Sequence, residues 1–130
     1  MKPKLFAYLG YRDAPAALTW LAGLGFTLVR RLDGDADQVV HAEVRLGDVV
    51  LMISSSDAAY ETPALLGRST GRGLYLLVDE VDAVFHRALA AGGTPVFEPE
   101  DTEWGTRRAR VLDLEGNEWS FGTYEPGASW

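Results

Sequence analysis

The stretch Trp104–Tyr124, WGTRRARVLDLEGNEWSFGTY, reads as two strands joined by a tight turn. Arg108-Ala109-Arg110-Val111-Leu112 alternates polar and apolar residues, and Glu118-Trp119-Ser120-Phe121 does so again, the pattern of a sheet with one covered face. Between them, Asp113-Leu114-Glu115-Gly116-Asn117 puts Gly and Asn at positions that can take positive φ. The earlier stretch 40–54, VHAEVRLGDVVLMIS, repeats the plan with Gly47-Asp48 as its turn.

The flanks of the two hairpins match as well. Leu5–Leu9 is a short strand candidate, and Asp13 offers an N-cap to a helix that tolerates Pro15 in its first turn. Ala14, Ala17, Leu18 and Leu21 recur at helical spacing until Gly23 and Gly25 stop the run. Phe26–Arg31 is the next strand, and Asp33–Asp37 a polar turn. In the second half, Leu74–Val78 is a strand, and Val81, Val84, Phe85, Ala88 and Leu89 form an amphipathic helix closed by Gly92-Gly93. Thr94–Phe97 follows as a short strand ended by Pro99. Each half reads strand–helix–strand–strand–strand. Matching Gly25 to Gly93 gives an offset of 68, and Gly47 to Gly116 gives 69, so a duplicated module is expected. The boundaries are about 4–55 for module one, 56–72 for the linker and 73–125 for module two, within one 130-residue domain. The Gly-rich run 67–73 lacks the Gly-Lys-Ser/Thr ending of a phosphate loop and belongs to the linker.

Composition narrows the function. Zero cysteines exclude a disulfide framework, a thiolate metal site and a thiol nucleophile. No apolar run is long enough to cross a bilayer, and the N-terminus lacks the apolar core of a signal peptide, so a cytoplasmic protein with no membrane partner is expected. A net charge of −7 argues against nucleic acid as partner and favours a cationic ligand at long range.

A tandem βαβββ module ending in Trp-Gly-x-Arg, Asp-x-x-Gly-Asn and Trp-Ser-Phe resembles the vicinal oxygen chelate superfamily of glyoxalases, extradiol dioxygenases, fosfomycin-resistance enzymes and bleomycin-resistance proteins. The likeness rests on Trp104, Gly105, Arg107, Asp113, Gly116, Asn117, Trp119 and Phe121, with Asp13, Trp20, Gly25 and Phe26 echoing the first helix. It implies an α+β fold in which each module's sheet forms a half-barrel with its helix on the convex face. The concave faces of the two sheets would line a cavity, commonly completed by a second subunit. Strand alternation then puts Leu51, Ile53, Leu74, Leu76, Trp119 and Phe121 under the helices. Met52, Ser54, Gly73, Tyr75, Glu118 and Ser120 face the cavity, joined by Phe6, Tyr8, His41, Glu43, Arg108 and Arg110.

Enzymes of that superfamily hold one divalent metal at four positions, on the first, fourth, fifth and eighth strands. By the resemblance these fall on Phe6, Met52, Gly73 and Ser120, none a good ligand for such an ion. His41 with Glu43 makes only a two-ligand pair, and His86, a turn after Asp82, is expected in a solvated ion pair or simply exposed. No metal and no other cofactor is therefore expected, and no catalytic residue is assigned. Glu43 and Glu118 are expected to pair with Arg45 or Arg110 rather than act as bases.

The expected lining is aromatic and sulfur-bearing. Phe6, Tyr8, Met52, Tyr75 and Trp104 supply stacking area, while His41, Glu43, Arg110, Glu118 and Ser120 orient the ligand. The resemblance thus implies a metal-free, homodimeric protein that sequesters a hydrophobic or aromatic small molecule, an antibiotic in the bleomycin-resistance branch. Two alternatives stand beside it. One is a glyoxalase- or dioxygenase-type lyase or oxygenase with a displaced metal site, and the other a structural dimer whose cavity is filled by its own side chains.

Overall fold

The computed structural model describes residues 2–56 and 72–127. The chain divides into two compact units, Met1–Glu61 and Thr62–Trp130. The expected linker lies outside the described residues except for Ser56 and Arg72.

The first unit comprises β1 (Ala7–Tyr11), α1 (Ala14–Leu24), β2 (Thr27–Asp33), β3 (Val39–Leu46) and β4 (Val49–Ser55). The second repeats this as β5 (Gly73–Leu77), α2 (Val81–Ala90), β6 (Thr94–Asp101), β7 (Arg107–Leu112) and β8 (Glu118–Gly122). Each builds one open, mixed four-stranded sheet, ordered β1-β4-β3-β2 and β5-β8-β7-β6, whose first and last strands run parallel. The fold is α+β, as the repeat implied, and neither sheet closes into a barrel.

The helices begin and end where local chemistry allows. Asp13 accepts the Ala16 N–H at 3.1 Å as N-cap of α1, and Gly25, at φ 113°, turns the chain out. The Phe26 N–H donates to Leu21 at the end of α1 as the Gly93 N–H donates to Ala88 at the end of α2. Beneath α1 lie Leu51, Ile53, Ala42 and Val44; beneath α2 lie Leu76, Ala109, Val111, Trp119 and Phe121, all buried. Leu74 is half-buried. Of the side chains that alternation puts under the helices, Leu51, Ile53, Leu76, Trp119 and Phe121 are buried.

Asp113 explains the sequence of the second hairpin. Its buried carboxylate accepts the backbone N–H groups of Glu115 and Asn117, both at 3.0 Å, the Asn117 amide at 3.0–3.1 Å and the Trp119 indole N–H at 3.2 Å. The Asp-x-x-Gly-Asn-x-Trp pattern is therefore a fold signal. It satisfies a turn and seats a core tryptophan.

Three points of the sequence reading are revised, two of them strand boundaries. The first strand runs Ala7–Tyr11 because its parallel partner sets the register from Ala7↔Leu51 to Tyr11↔Ser55, which buries Tyr11 in the core. β6 continues past Pro99 to Asp101, since it is an edge strand whose ladder skips from Phe97↔Arg110 to Glu100↔Arg108. The repeat offset is also revised. Register equates Tyr8 with Tyr75, an offset of 67, and Met52 with Ser120, an offset of 68. The Asp113 turn holds the additional residue.

Candidate functional site

On the sheet face opposite α2, Tyr75, Ser120, Arg110 and Phe97 stand side by side across all four strands. Arg110 Nε donates to Ser120 Oγ at 2.9 Å, and its guanidinium carbon lies 5.2 Å from the Phe97 ring centroid. Arg108 approaches the same ring at 5.3 Å and Trp104 at 5.9 Å, while its Nε pairs with Glu100 at 3.0 Å.

Where β6 leaves and β7 enters, a cleft of about 420 Å³ opens between Tyr75, Trp104, Thr106 and Tyr124, with Arg107 and Arg108 in its wall. Trp104 stands on the connecting loop, 58% exposed. The loop is clasped by its two threonines: the Thr102 N–H donates to the Thr106 carbonyl at 2.8 Å, and the Thr106 N–H to Thr102 Oγ1 at 3.1 Å. Gly105, at φ 83°, lets the chain turn back.

Tyr75 is held from two sides. Its ring lies directly on Gly122, where a Cβ would collide with it, and its hydroxyl donates to the Tyr124 carbonyl at 2.7 Å. Burial pushes the Tyr75 phenol above its ordinary value. Arg107 is fixed by two hydrogen bonds to Asp82 at 2.6 and 2.9 Å and one to Asp101 at 2.9 Å. The Asp82 hydrogen bonds, then the one to Asp101, raise the Arg107 pKa, and Arg107 in turn holds the Asp82 carboxyl below its usual range. A second cleft of about 350 Å³, also walled by Tyr75, is lined by Arg72, Arg110, Glu118 and Ser120.

In the first unit the matching row is Tyr8, Met52, Glu43 and Arg30. His41 Nε2 and Glu43 Oε2 are 2.7 Å apart, and that hydrogen bond holds the Glu43 carboxyl below its ordinary value. Glu43 thus pairs with its own-strand neighbour His41, where the sequence reading favoured an arginine. Tyr8 is 74% exposed. Phe6 lies one residue before β1, so pleat alternation does not orient it. His86 is exposed, its ring edge-on to Phe85, while Asp82 is engaged by Arg107.

The sequence-derived candidates therefore divide by unit. Tyr75, Arg110, Glu118 and Ser120 share one face of the second sheet with Trp104 at its margin, and Tyr8, His41, Glu43 and Met52 share one face of the first. Sequence reasoning missed Tyr124 and the Thr102–Thr106 clasp. Paired threonines around Glu103-Trp104-Gly105 were the available signal.

The four positions at which the resemblance puts metal ligands carry a phenyl ring (Phe6), a thioether (Met52), no side chain (Gly73) and a hydroxyl (Ser120). These donors do not fit a divalent cation. At Ser120 the hydroxyl is already bound to the Arg110 guanidinium, whose charge opposes a cation there. Among the described residues no group of three or more His, Asp or Glu is placed to hold a metal, and no helix is long and apolar enough to cross a membrane.

A family model described as the Glyoxalase/Bleomycin resistance protein/Dioxygenase superfamily matches residues 6–121. An uncharacterized protein of Mycobacterium bovis is 32% identical over 128 residues, covering 94% of this chain and 84% of its own. One from Mycobacterium tuberculosis is 32% identical over 128 residues, covering 94% and 75%. Among solved structures, TioX from Micromonospora sp. ML1 matches with a TM-score of 0.75 and 28% identity, covering 95% of this chain and 100% of that one. The fosfomycin resistance protein FosX from Mesorhizobium loti matches in fold, with a TM-score of 0.71 at 14% identity over 97% and 94% of the two chains.

Proposed function

The chain belongs to the Glyoxalase/Bleomycin resistance protein/Dioxygenase superfamily, and from that membership we propose that it is a metal-independent binding protein which sequesters a hydrophobic or aromatic small molecule. An antibiotic, bound as in the superfamily's bleomycin-resistance branch, is the ligand class to test first. The observation that carries this reading is the cleft between Trp104, Tyr75 and Tyr124. Three aromatic side chains border a space of about 420 Å³, within the range of drug-sized sites. Tyr75 is anchored by Gly122 and the Tyr124 carbonyl, and the loop that carries Trp104 is clasped by Thr102 and Thr106. Anchored rings lose little freedom when a flat ligand stacks on them. Arg110, Ser120 and Glu118 orient such a ligand beside Tyr75; in the first unit, taken by itself, Phe6, Tyr8, His41, Glu43 and Met52 are the corresponding candidates. The protein works as a homodimer.

Intrinsic tryptophan fluorescence titrated with planar aromatic antibiotics tests this. Trp20 and Trp119 are buried, so saturable quenching that disappears in Trp104→Ala locates the ligand at the cleft. Quenching that survives in Trp104→Ala, or no quenching with any compound, contradicts the proposal.

A second reading rests on the His41–Glu43 pair at 2.7 Å, an imidazole oriented by a carboxylate as in general-base sites. It makes the protein a lyase or oxygenase of the glyoxalase or dioxygenase type. Turnover abolished by His41→Ala, with binding retained, would favour it.

A further inference from the structure

We infer that Arg110 is the anchoring point for an anionic group, so that the ligand of the second unit is an aromatic carboxylate or a related aromatic anion. The inference rests on the aromatic-binding reading above and gives the ligand its charge. Arg110 is half-buried, yet among the described residues no carboxylate lies within ion-pair distance of it. This is notable in a chain where 19 acidic residues face 12 basic ones, because a partly desolvated cation ordinarily recruits one of them. Its neighbour Arg108 has done so, through Glu100. Both guanidiniums approach the Phe97 ring, at 5.2 and 5.3 Å, and of the two only Arg108 has a carboxylate partner among the described residues.

The orientation of Arg110 is fixed as well. Nε is occupied by Ser120 and one face by Phe97, while neither terminal nitrogen has a hydrogen bond to a described residue. A guanidinium pinned at Nε presents Nη1 and Nη2 as a fork, the geometry that takes two oxygens of a carboxylate, sulfonate or phosphonate. Among the described residues, the cleft it lines brings Arg72, Arg110 and Glu118 together beside Ser120. Tyr75 walls this cleft and the aromatic one alike, so a ligand with its ring against Tyr75 can place an attached anionic group at Arg110.

The test compares 2-naphthoate with its neutral counterpart 2-naphthamide by calorimetric titration of the full-length protein. Naphthoate is expected to bind about tenfold more tightly, the scale of a charge-assisted hydrogen-bonded pair, with a gap that narrows in high salt. Arg110→Gln removes that preference, bringing naphthoate to the affinity of naphthamide in the same variant, whereas Ser120→Ala, which keeps the charge, retains part of it. Equal affinities in the wild-type protein overturn this inference and leave the aromatic-binding reading standing. A preference that persists in folded Arg110→Gln also overturns it. Failure of both compounds to bind removes the aromatic-binding reading and this inference together. The wild-type comparison stands even if the variant does not fold.

Discussion

Glu43 and Arg110 occupy the same place in the two copies of the module, each on the third strand and each facing the fourth strand's Met52 or Ser120. One copy carries an anion at this position and the other a cation. Their surroundings follow suit. Glu43 draws a histidine, Arg110 a hydroxyl and an aromatic face. The two copies share their backbone plan and covered faces, while the opposite faces differ in charge at this position.

Glu43 gives the pH dependence of the first unit. Its carboxyl titrates below the ordinary 4.5, chiefly because His41 hydrogen-bonds the ionised form. In the unfolded chain it takes up a proton at the ordinary value, in the folded protein only at lower pH. The pair therefore adds stability above that value and loses it as pH falls through the folded-state pKa. Both groups are partly exposed, so the effect is small and salt-sensitive. A carbon-13 NMR titration of the Glu43 carboxyl should show a depressed midpoint in the wild-type protein that moves upward in His41→Ala.

Asp113 should prove structural. Replacing it with alanine leaves the buried Trp119 indole and the turn N–H groups without their acceptor. The expected loss is about 3 kcal/mol, or about 10 °C in Tm for a chain of this size. Ligand affinity of the folded variant should be unchanged. Calorimetric melting with titration at low temperature separates the two effects.

Gly122 should matter for binding through Tyr75. A methyl group there displaces the ring and breaks its hydrogen bond to the Tyr124 carbonyl. Gly122→Ala should weaken aromatic ligands about tenfold, the upper end of an aromatic pair's contribution. Tyr75→Phe keeps the ring seated on Gly122 and should cost less. Titration calorimetry of both variants against one ligand checks the order.

Periodicity made the helices, both hairpins and the covered faces legible, because these depend on residues a few positions apart. Trp119 and Phe121 under the helix, and Ser120 and Arg110 opposite, follow from alternation alone. The register of β1 did not, since it is set by pairing with β4 some forty residues away. Pro99 read as a strand end because sequence does not reveal which strands are edges. The Arg107–Asp82 pair and the Tyr75 hydroxyl on Tyr124 join residues 25 and 49 positions apart, distances at which no spacing rule operates. Tyr124 was missed for that reason.

The most direct test of the central claim is a proton–nitrogen NMR spectrum of the wild-type protein, recorded with and without a saturating planar aromatic ligand. The indole N–H of Trp104 and the amides of Tyr75, Thr106 and Tyr124 should shift together, while the buried indoles of Trp20 and Trp119 stay in place. Shifts confined to other residues, or none with any aromatic compound, would contradict the account.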